Sequence, residues 1–204
     1  MAQTIPGILD WWARMRPDQP VVILSGDTLT YAAYQAWSCG IAAQLIADGL
    51  EPGDRVAICA TNSLTYCALM VGVIRAGGIV SPVNFRYTAR EIAELCETTT
   101  PRLCFAGPDQ MAAMAAAGYP ARPIASLNGL REPQAVPVAH DAAPDAPVVI
   151  IATSGSTAKP KGVVYSNRSM TAYAANWALE ETSSSAGSRI RRSRRSTHRR
   201  VLSS

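Results

Sequence analysis

The sequence predicts an α/β fold in which a mainly parallel sheet is flanked by helices. Short apolar runs, of the length typical of buried strands, alternate with longer segments of helical length. The longer segments open on Ser, Thr or Asn, and several of them close on glycine, as helices do. Such alternation favours parallel pairing of the strands. With 204 residues, 48% of them hydrophobic, the chain can bury a core.

Caps and helix breakers delimit the predicted elements. Thr4 and Thr30 precede helical segments as N-caps, and Gly49 stops the second helix. Thr88 and Glu91 have the spacing of a capping box. The first part of the chain is predicted to form a helix at 5–15, a hairpin at 21–24 and 28–30, and a helix at 31–48. Strands and helices then alternate: a strand at 55–59, a helix capped by Asn62 or Ser63 and ending at 77–78, a strand at 79–82, a helix at 88–98, a strand at 103–106 and a short helix at 110–117. Loops with one strand near Ile124 follow, then strands at 148–152 and 163–165, and a helix capped by Ser166 or Asn167 that runs towards Leu179.

The run from Ile151 to Gly162 concentrates small, hydroxylic and cationic residues between two apolar segments. Small residues let backbone N–H groups approach an anion closely, while hydroxyls add donors and lysines add charge. The run is not a Walker A loop, because Gly155 and Gly162 lack that spacing and a strand, rather than a helix, is predicted to follow. On composition alone, an ordinary solvated loop is the alternative.

The order of residues from Thr153 to Gly162 closely resembles the signature phosphate loop of the adenylate-forming superfamily, which includes the acyl-CoA synthetases. Turn-and-cap segments at 28–31, 49–56, 74–78 and 80–84 resemble the same family and precede the loop in the family's order. The resemblance covers residues 5–180 and implies part of the large N-terminal domain, incomplete, with a mobile loop between two strands. It assigns the binding of the ATP β- and γ-phosphates to Thr153, Ser154, Gly155, Ser156, Thr157, Lys159 and Lys161.

By the same resemblance, the family reaction joins a carboxylic acid, most plausibly a fatty acid, to coenzyme A with ATP and Mg²⁺, releasing AMP and pyrophosphate. That reaction also uses a downstream aromatic-Gly-x-Thr-Glu segment, an acid on the ribose and a lysine from a C-terminal domain, none of which has a counterpart here. We therefore expect a truncated fragment that is inactive as this chain, with no catalytic or metal-ligating residue. The alternatives are a non-catalytic fragment that docks a protein through an uncovered sheet edge, or half of a split enzyme whose C-terminal half is separately encoded.

Two positions depart from the family pattern. Ala158 stands where the family usually has glycine, which reduces the conformational freedom of the loop. Asn167 stands where the family often has histidine, and the resemblance implies a place for it beside the acyl pocket and the α-phosphate. Asparagine can donate a hydrogen bond there but cannot titrate.

The cysteines and the hydropathy pattern favour a cytoplasmic protein. The five cysteines are odd in number and never form a C-x-x-C pair, which favours buried, reduced thiols over disulfides or metal ligands. The first residues lack the pattern of a secretory signal. The longest apolar span, 69–83, is interrupted by arginine, glycines and proline and is too short to cross a bilayer.

The last part of the chain differs in composition from the rest. Residues 182–204 are rich in Ser and Arg, contain seven arginines and no acid, and lose helical periodicity. We expect residues 1–181 to form the partial domain and 182–204 to be a disordered tail. A frame shift near codon 181 is the favoured explanation. A nucleic-acid or anionic-membrane arm is the alternative, but the tail has no aromatic residues for stacking, so no specific nucleic-acid partner is expected.

Overall fold

A six-stranded sheet forms the centre of the fold. The computed structural model describes residues 4–131, 143–153 and 161–173. The strand order is β6-β5-β3-β4-β7-β8, with every pair parallel except β7 and β8, which are antiparallel. The predicted α/β fold with a mainly parallel sheet is therefore confirmed. The helices are α1 (Ile5–Met15), α2 (Tyr31–Ala47), α3 (Leu64–Arg75), α4 (Ala89–Thr99) and α5 (Met111–Ala116), and the strands are β1 (Pro20–Leu24), β2 (Asp27–Thr30), β3 (Arg55–Cys59), β4 (Ile79–Pro82), β5 (Leu103–Ala106), β6 (Arg122–Pro123), β7 (Pro147–Thr153) and β8 (Lys161–Ser166).

Each face of the parallel sheet is covered by its own pair of helices. Val56 and Ile58 of β3 belong to a core that also contains apolar residues of α2 and α3. The alternate residues of the same strand, Ala57 and Cys59, belong to a second core with α4 and α5. A strand that is apolar at successive positions is buried on both faces, as parallel strands are. This arrangement explains why β3 reads as a continuous apolar run.

The predicted caps are present. Thr30 Oγ1 accepts a hydrogen bond from Ala33 N at 3.3 Å, and Thr88 forms the reciprocal capping box with Glu91. Helices α2 and α3 approach closely at Gly72, where a Cβ would lie 2.6 Å from Ile41 Cγ2. The glycine is therefore needed for the packing of the two helices that cover one face of the sheet.

Three elements differ in detail from the prediction. The turn of the first hairpin is shorter, because Ser25 and Gly26 both adopt positive φ and Asp27 already belongs to β2. The short helix α5 begins one residue late, after a 3-10 turn at Pro108–Gln110. The strand expected near Ile124 ends at Pro123, and a 3-10 segment, Ile124–Arg131, follows it. That segment packs on α2, where the indole N–H of buried Trp37 donates to Leu127 O at 2.9 Å.

Several predictions fall outside the described residues. These are the loop at 154–160, the continuation of the last helix beyond residue 173, and the tail at 182–204. The helix after β8 is described over residues 167–173, and Ser166 caps it by accepting a hydrogen bond from Ser169 N at 3.2 Å. Among the helices in the described ranges, none is both long enough and apolar enough to span a membrane.

Candidate functional site

The β7–β8 hairpin leads directly into and out of the segment that resembles a phosphate loop. Its register pairs Pro147 with Ser166 at one end and Thr153 with Lys161 at the other. Opposed residues of antiparallel strands have Cα atoms roughly 4.5–5.5 Å apart, so the two ends of segment 154–160 are held close together. The hairpin confirms the predicted strand–loop–strand arrangement on its two described sides.

The open end of the hairpin lies at the carboxyl edge of the parallel strands. β7 runs parallel to β4 with Val149 opposite Val80, so the backbone of Thr153 lies beyond Pro82, at which β4 ends. In open α/β sheets, ligands bind outside the carboxyl ends of the strands. Two polar side chains on this edge form hydrogen bonds with backbone N–H groups a few residues away. Ser63 Oγ accepts from Tyr66 N at 3.0 Å, and Asn84 Oδ1 accepts from Arg86 N at 3.0 Å. These two side chains stabilise a helix start and a turn.

Gly162 has a steric role at the open end of the hairpin. It lies opposite Ala152, and a Cβ at this position would lie 2.8 Å from Ile150 Cγ2 on β7. A side chain there would force Ile150 to move and would disturb the pairing just below the loop. Packing across the hairpin therefore favours glycine at the end of the Lys-Pro-Lys-Gly sequence, independently of any ligand.

The structure describes two of the seven predicted phosphate-binding residues. The backbones of Thr153 and Lys161 form the last pair of the hairpin. The other five, which are Ser154, Gly155, Ser156, Thr157 and Lys159, lie outside the described residues. The assignment of these seven residues to phosphate binding thus stays a prediction.

The resemblance implies a place for Asn167 beside the acyl pocket and the α-phosphate, and this predicted location is wrong. Asn167 follows Ser166, which lies at the end of the hairpin opposite the loop, so its backbone is roughly 20 Å from Lys161 at 3.3–3.4 Å per residue. The side chain is fully buried, and its Oδ1 accepts a hydrogen bond from Ile5 N at 3.1 Å. Asn167 therefore contacts helix α1 and not the phosphate end. No local pattern indicates a bond between residues 162 positions apart in the chain.

Burial keeps three of the five cysteines protonated near neutral pH. None of the five, all of which lie in the described ranges, forms a disulfide, and Cys39, Cys59, Cys96 and Cys104 are buried. Burial raises the pKa of the Cys59 and Cys104 thiols to about 11 and that of the Cys96 thiol to about 12. A thiol with such a pKa is protonated near neutral pH and is a poor nucleophile or metal ligand. Within the described ranges, no group of three or more His, Cys, Asp or Glu residues is placed to hold a metal ion.

Comparison with known proteins agrees with this geometry. The sequence pattern described as "AMP-binding enzyme" matches residues 9–196. The chain belongs to the AMP-binding enzyme family. The matched range includes the whole β7–β8 hairpin and its loop. Membership in the family, first indicated by the order of residues between Thr153 and Gly162, is therefore confirmed.

Curated relatives from this family are ligases that are much longer than the chain. Fatty acid–acyl-carrier-protein ligase ScoC of Streptomyces coeruleorubidus is 36% identical over 176 residues, which are 82% of this chain and 34% of ScoC. Long-chain-fatty-acid–CoA ligase FadD13 of Mycobacterium tuberculosis is 29% identical over 160 residues, which are 74% of this chain and 32% of FadD13. The chain thus spans about a third of the length of these AMP-binding enzymes.

Solved structures of AMP-binding enzymes share the fold. The N-terminal subdomain of Klebsiella oxytoca NpsA aligns with a TM-score of 0.75 at 25% identity, over 84% of this chain and 44% of that subdomain. A fatty acyl CoA synthetase of Mycobacterium tuberculosis aligns with a TM-score of 0.71 at 26% identity, over 81% of this chain and 35% of that protein. The fold described here therefore corresponds to part of the N-terminal subdomain in this family.

Proposed function

We propose that the chain carries the phosphate-binding part of an ATP-dependent, AMP-forming acyl ligase. In this proposal the segment from Thr153 to Lys161 holds the ATP β- and γ-phosphates through backbone N–H groups, hydroxyls and the charges of Lys159 and Lys161. The observation that carries the proposal is the hairpin register, which closes on Thr153 and Lys161 at the carboxyl edge of a parallel sheet. Such an edge is where this fold class binds ligands.

The charge distribution supports a phosphate role for the loop. The chain has 19 Lys and Arg residues, and its only two lysines are Lys159 and Lys161. Lysine binds phosphate as a compact point charge on a flexible stem, whereas arginine forms planar, bidentate contacts. Both lysines of the chain lie in one segment of ten residues, from Thr153 to Gly162, so this segment holds all of the lysine charge that could bind phosphate.

The proposed reaction joins a carboxylic acid to a thiol through an acyl-adenylate. A fatty acid is the proposed substrate, since the relatives ScoC and FadD13 carry fatty-acid ligase names. The acceptor is either coenzyme A or a carrier-protein thiol. The carrier-protein alternative comes from ScoC, which is a fatty acid–acyl-carrier-protein ligase. Mg²⁺ would arrive with the phosphates, because the described residues offer no acidic cluster for it.

We also propose that this chain does not complete the reaction alone. The chain spans about a third of its relatives, and the segments that by resemblance bind adenine and ribose, and supply the C-terminal lysine, have no counterpart in it. Activity would need the remaining part of the fold, which in a split enzyme would be separately encoded. The out-of-frame origin of residues 182–204 and a cytoplasmic location stay predictions; the buried, free thiols favour a reducing compartment.

ATP–pyrophosphate exchange over a panel of fatty acids tests the incompleteness of the chain. We expect the wild-type rate to equal that of a Lys159→Ala, Lys161→Ala variant, because the groups that stabilise transition-state charge usually supply the largest part of catalysis. Exchange clearly above that variant would contradict the proposal that the chain is inactive alone.

Binding of the phosphates can be measured separately. Reductive ¹³C-methylation labels the two lysines and the N-terminal amine, so the loop gives its own NMR signals without assignment of the whole chain. Pyrophosphate should shift both lysine signals. As a matched control, Arg14→Ala, Arg90→Ala removes the same charge from exposed positions on α1 and α4 and should leave the shifts unchanged. Lysine signals that do not respond would refute a phosphate site in this loop.

A further inference from the structure

Asn167 connects three elements at the closed end of the β7–β8 hairpin. Its side-chain Oδ1 accepts from Ile5 N, the first residue of α1, at 3.1 Å. Its backbone N–H donates to Ala146 O, just before β7, at 3.2 Å. The residue itself directly follows β8, and none of its surface is exposed. The first turn of α1 is therefore tied directly to the base of the hairpin.

Helix α1 is in turn fixed to the parallel part of the fold. Asp10 of α1 accepts hydrogen bonds from Arg75 Nη1 at 3.2 Å and from Gln35 Nε2 at 3.1 Å. Arg75 is fully buried in α3, and its Nε donates to Ser38 Oγ of α2 at 2.9 Å. A buried ionic network of this kind is rigid because its members hold one another in place. Through the hydrogen bond from Ile5 N, the hairpin is therefore attached to α1, which its contacts with α2 and α3 already fix in place.

The hairpin is only partly covered nearer the loop. β7 is registered on β4 at Val149, and Ala152 packs on the second core. On the same side Ile151, Val163 and Val164 are 41%, 41% and 56% exposed. The base of the hairpin, where Asn167 is fully buried, is therefore the more firmly held end. At that base the Asn167 side chain uses its acceptor, whereas its buried Nδ2 has no partner among the described residues. Its side chain therefore acts on the hairpin through the bond to Ile5.

We propose that Asn167 is a positioning residue for the phosphate loop. By accepting the Ile5 N–H, it fixes the base of the β7–β8 hairpin against α1 and so sets where the open end, with Thr153 and Lys161, is presented. This inference rests on the proposed phosphate binding and adds to it a remote control point roughly 20 Å from the loop along the strand. It also gives α1 a role in ligand binding without any contact with the ligand.

The hydrogen bond can be removed from either side in the full-length chain. Ile5→Pro deletes the donor, and proline is well accommodated at the first position of a helix. Its matched control is Ile5→Ala, which shortens the side chain but keeps the N–H. Asn167→Ala deletes the acceptor. Removing the bond from either partner protects the test against one variant that fails to fold.

Backbone hydrogen exchange and pyrophosphate affinity are the two measurements. We expect Ile5→Pro and Asn167→Ala to raise exchange at 148–149 and 164–166 at least tenfold more than in β3 and β5, and to weaken pyrophosphate binding at least threefold. Ile5→Ala should stay within twofold of wild type in both. Hydrogen exchange reports local opening separately from global unfolding.

The two proposals fail in different ways. Equal exchange in the hairpin and in β3 and β5 would overturn the positioning role, because the bond would then contribute only to overall stability. Exchange confined to the hairpin with unchanged pyrophosphate affinity would overturn it as well. If wild type itself binds no pyrophosphate, the proposed function fails, and the exchange pattern alone decides whether Asn167 fixes the hairpin.

Discussion

The parallel part of the sheet and the β7–β8 hairpin differ in how much of their apolar surface is buried. β3 is covered on both faces, by α2 and α3 on one side and by α4 and α5 on the other. The hairpin has apolar residues that stay exposed on both strands, at Ile151, Val163 and Val164. The first region is a scaffold stabilised by burial, and the second, which we call the arm, is a partly exposed hairpin whose strands lead into and out of segment 154–160. The difference indicates that changes in the two regions should affect different measurements.

The largest expected effect lies in the scaffold. Asp10→Ala leaves the fully buried Arg75 without its carboxylate partner, so we expect a loss of about 3–5 kcal/mol in the free energy of unfolding. Urea denaturation of the two proteins measures it. Glu94→Ala, which breaks the exposed pair with Arg90, is the control and should cost less than about 1 kcal/mol. Equal losses from the two variants would mean that burial of Arg75 does not matter.

A smaller effect should appear at alkaline pH, again in the scaffold. Burial raises the folded-state pKa of Cys59, Cys96 and Cys104 above the usual value of 9.0. The unfolded chain therefore loses these protons first, so stability is complete below about pH 9 and falls as the pH rises towards 11–12. The urea midpoint, followed from pH 8 to pH 11, should decline. Cys96→Ala should flatten this decline, and an unchanged slope would contradict the assignment to the thiols.

The smallest expected effect on stability concerns the arm. Gly162→Ala places a Cβ against the partly exposed Ile150 across the hairpin, so we expect a cost of about 1 kcal/mol, confined to local opening. Hydrogen exchange should rise at 150–152 and 162–164, while the global urea midpoint changes little. As a counterpart in the scaffold, Gly72→Ala meets Ile41 at a helix–helix contact and should lower the midpoint instead. A fall of the midpoint for both variants would show that the hairpin unfolds together with the scaffold.

The sequence predicted the scaffold well because its determinants are local. Caps such as Thr30 and Thr88 are satisfied within three residues, and β3 is apolar at successive positions because both of its faces are buried. The order of residues from Thr153 to Gly162 was sufficient to indicate the family, which is confirmed. Local pattern and family signature are both contained in short stretches of chain.

Features that depend on distant contacts could not be predicted. The place of Asn167 is decided by its bond to Ile5 and by the register of β8, neither of which leaves a periodic signal. The 3-10 segment that begins at Ile124 forms against the indole of Trp37 on α2, so its turn geometry follows from packing and not from its own residues. In each case, the position of the residue depends on a contact that local sequence does not encode.

The most direct test of the account is to map pyrophosphate onto the backbone by NMR. We expect shifts in the amides of 150–153 and 161–164 and none in β3 or β5, with affinity no better than roughly millimolar, or about −4 kcal/mol, since adenine and ribose partners are missing. ATP should act like pyrophosphate, and AMP should have no effect, because the loop is proposed to bind the terminal phosphates. Added salt should weaken the binding, as expected for exposed charges. Equal shifts with AMP, or shifts centred on β3 and β5, would contradict the claim that the hairpin presents a phosphate site.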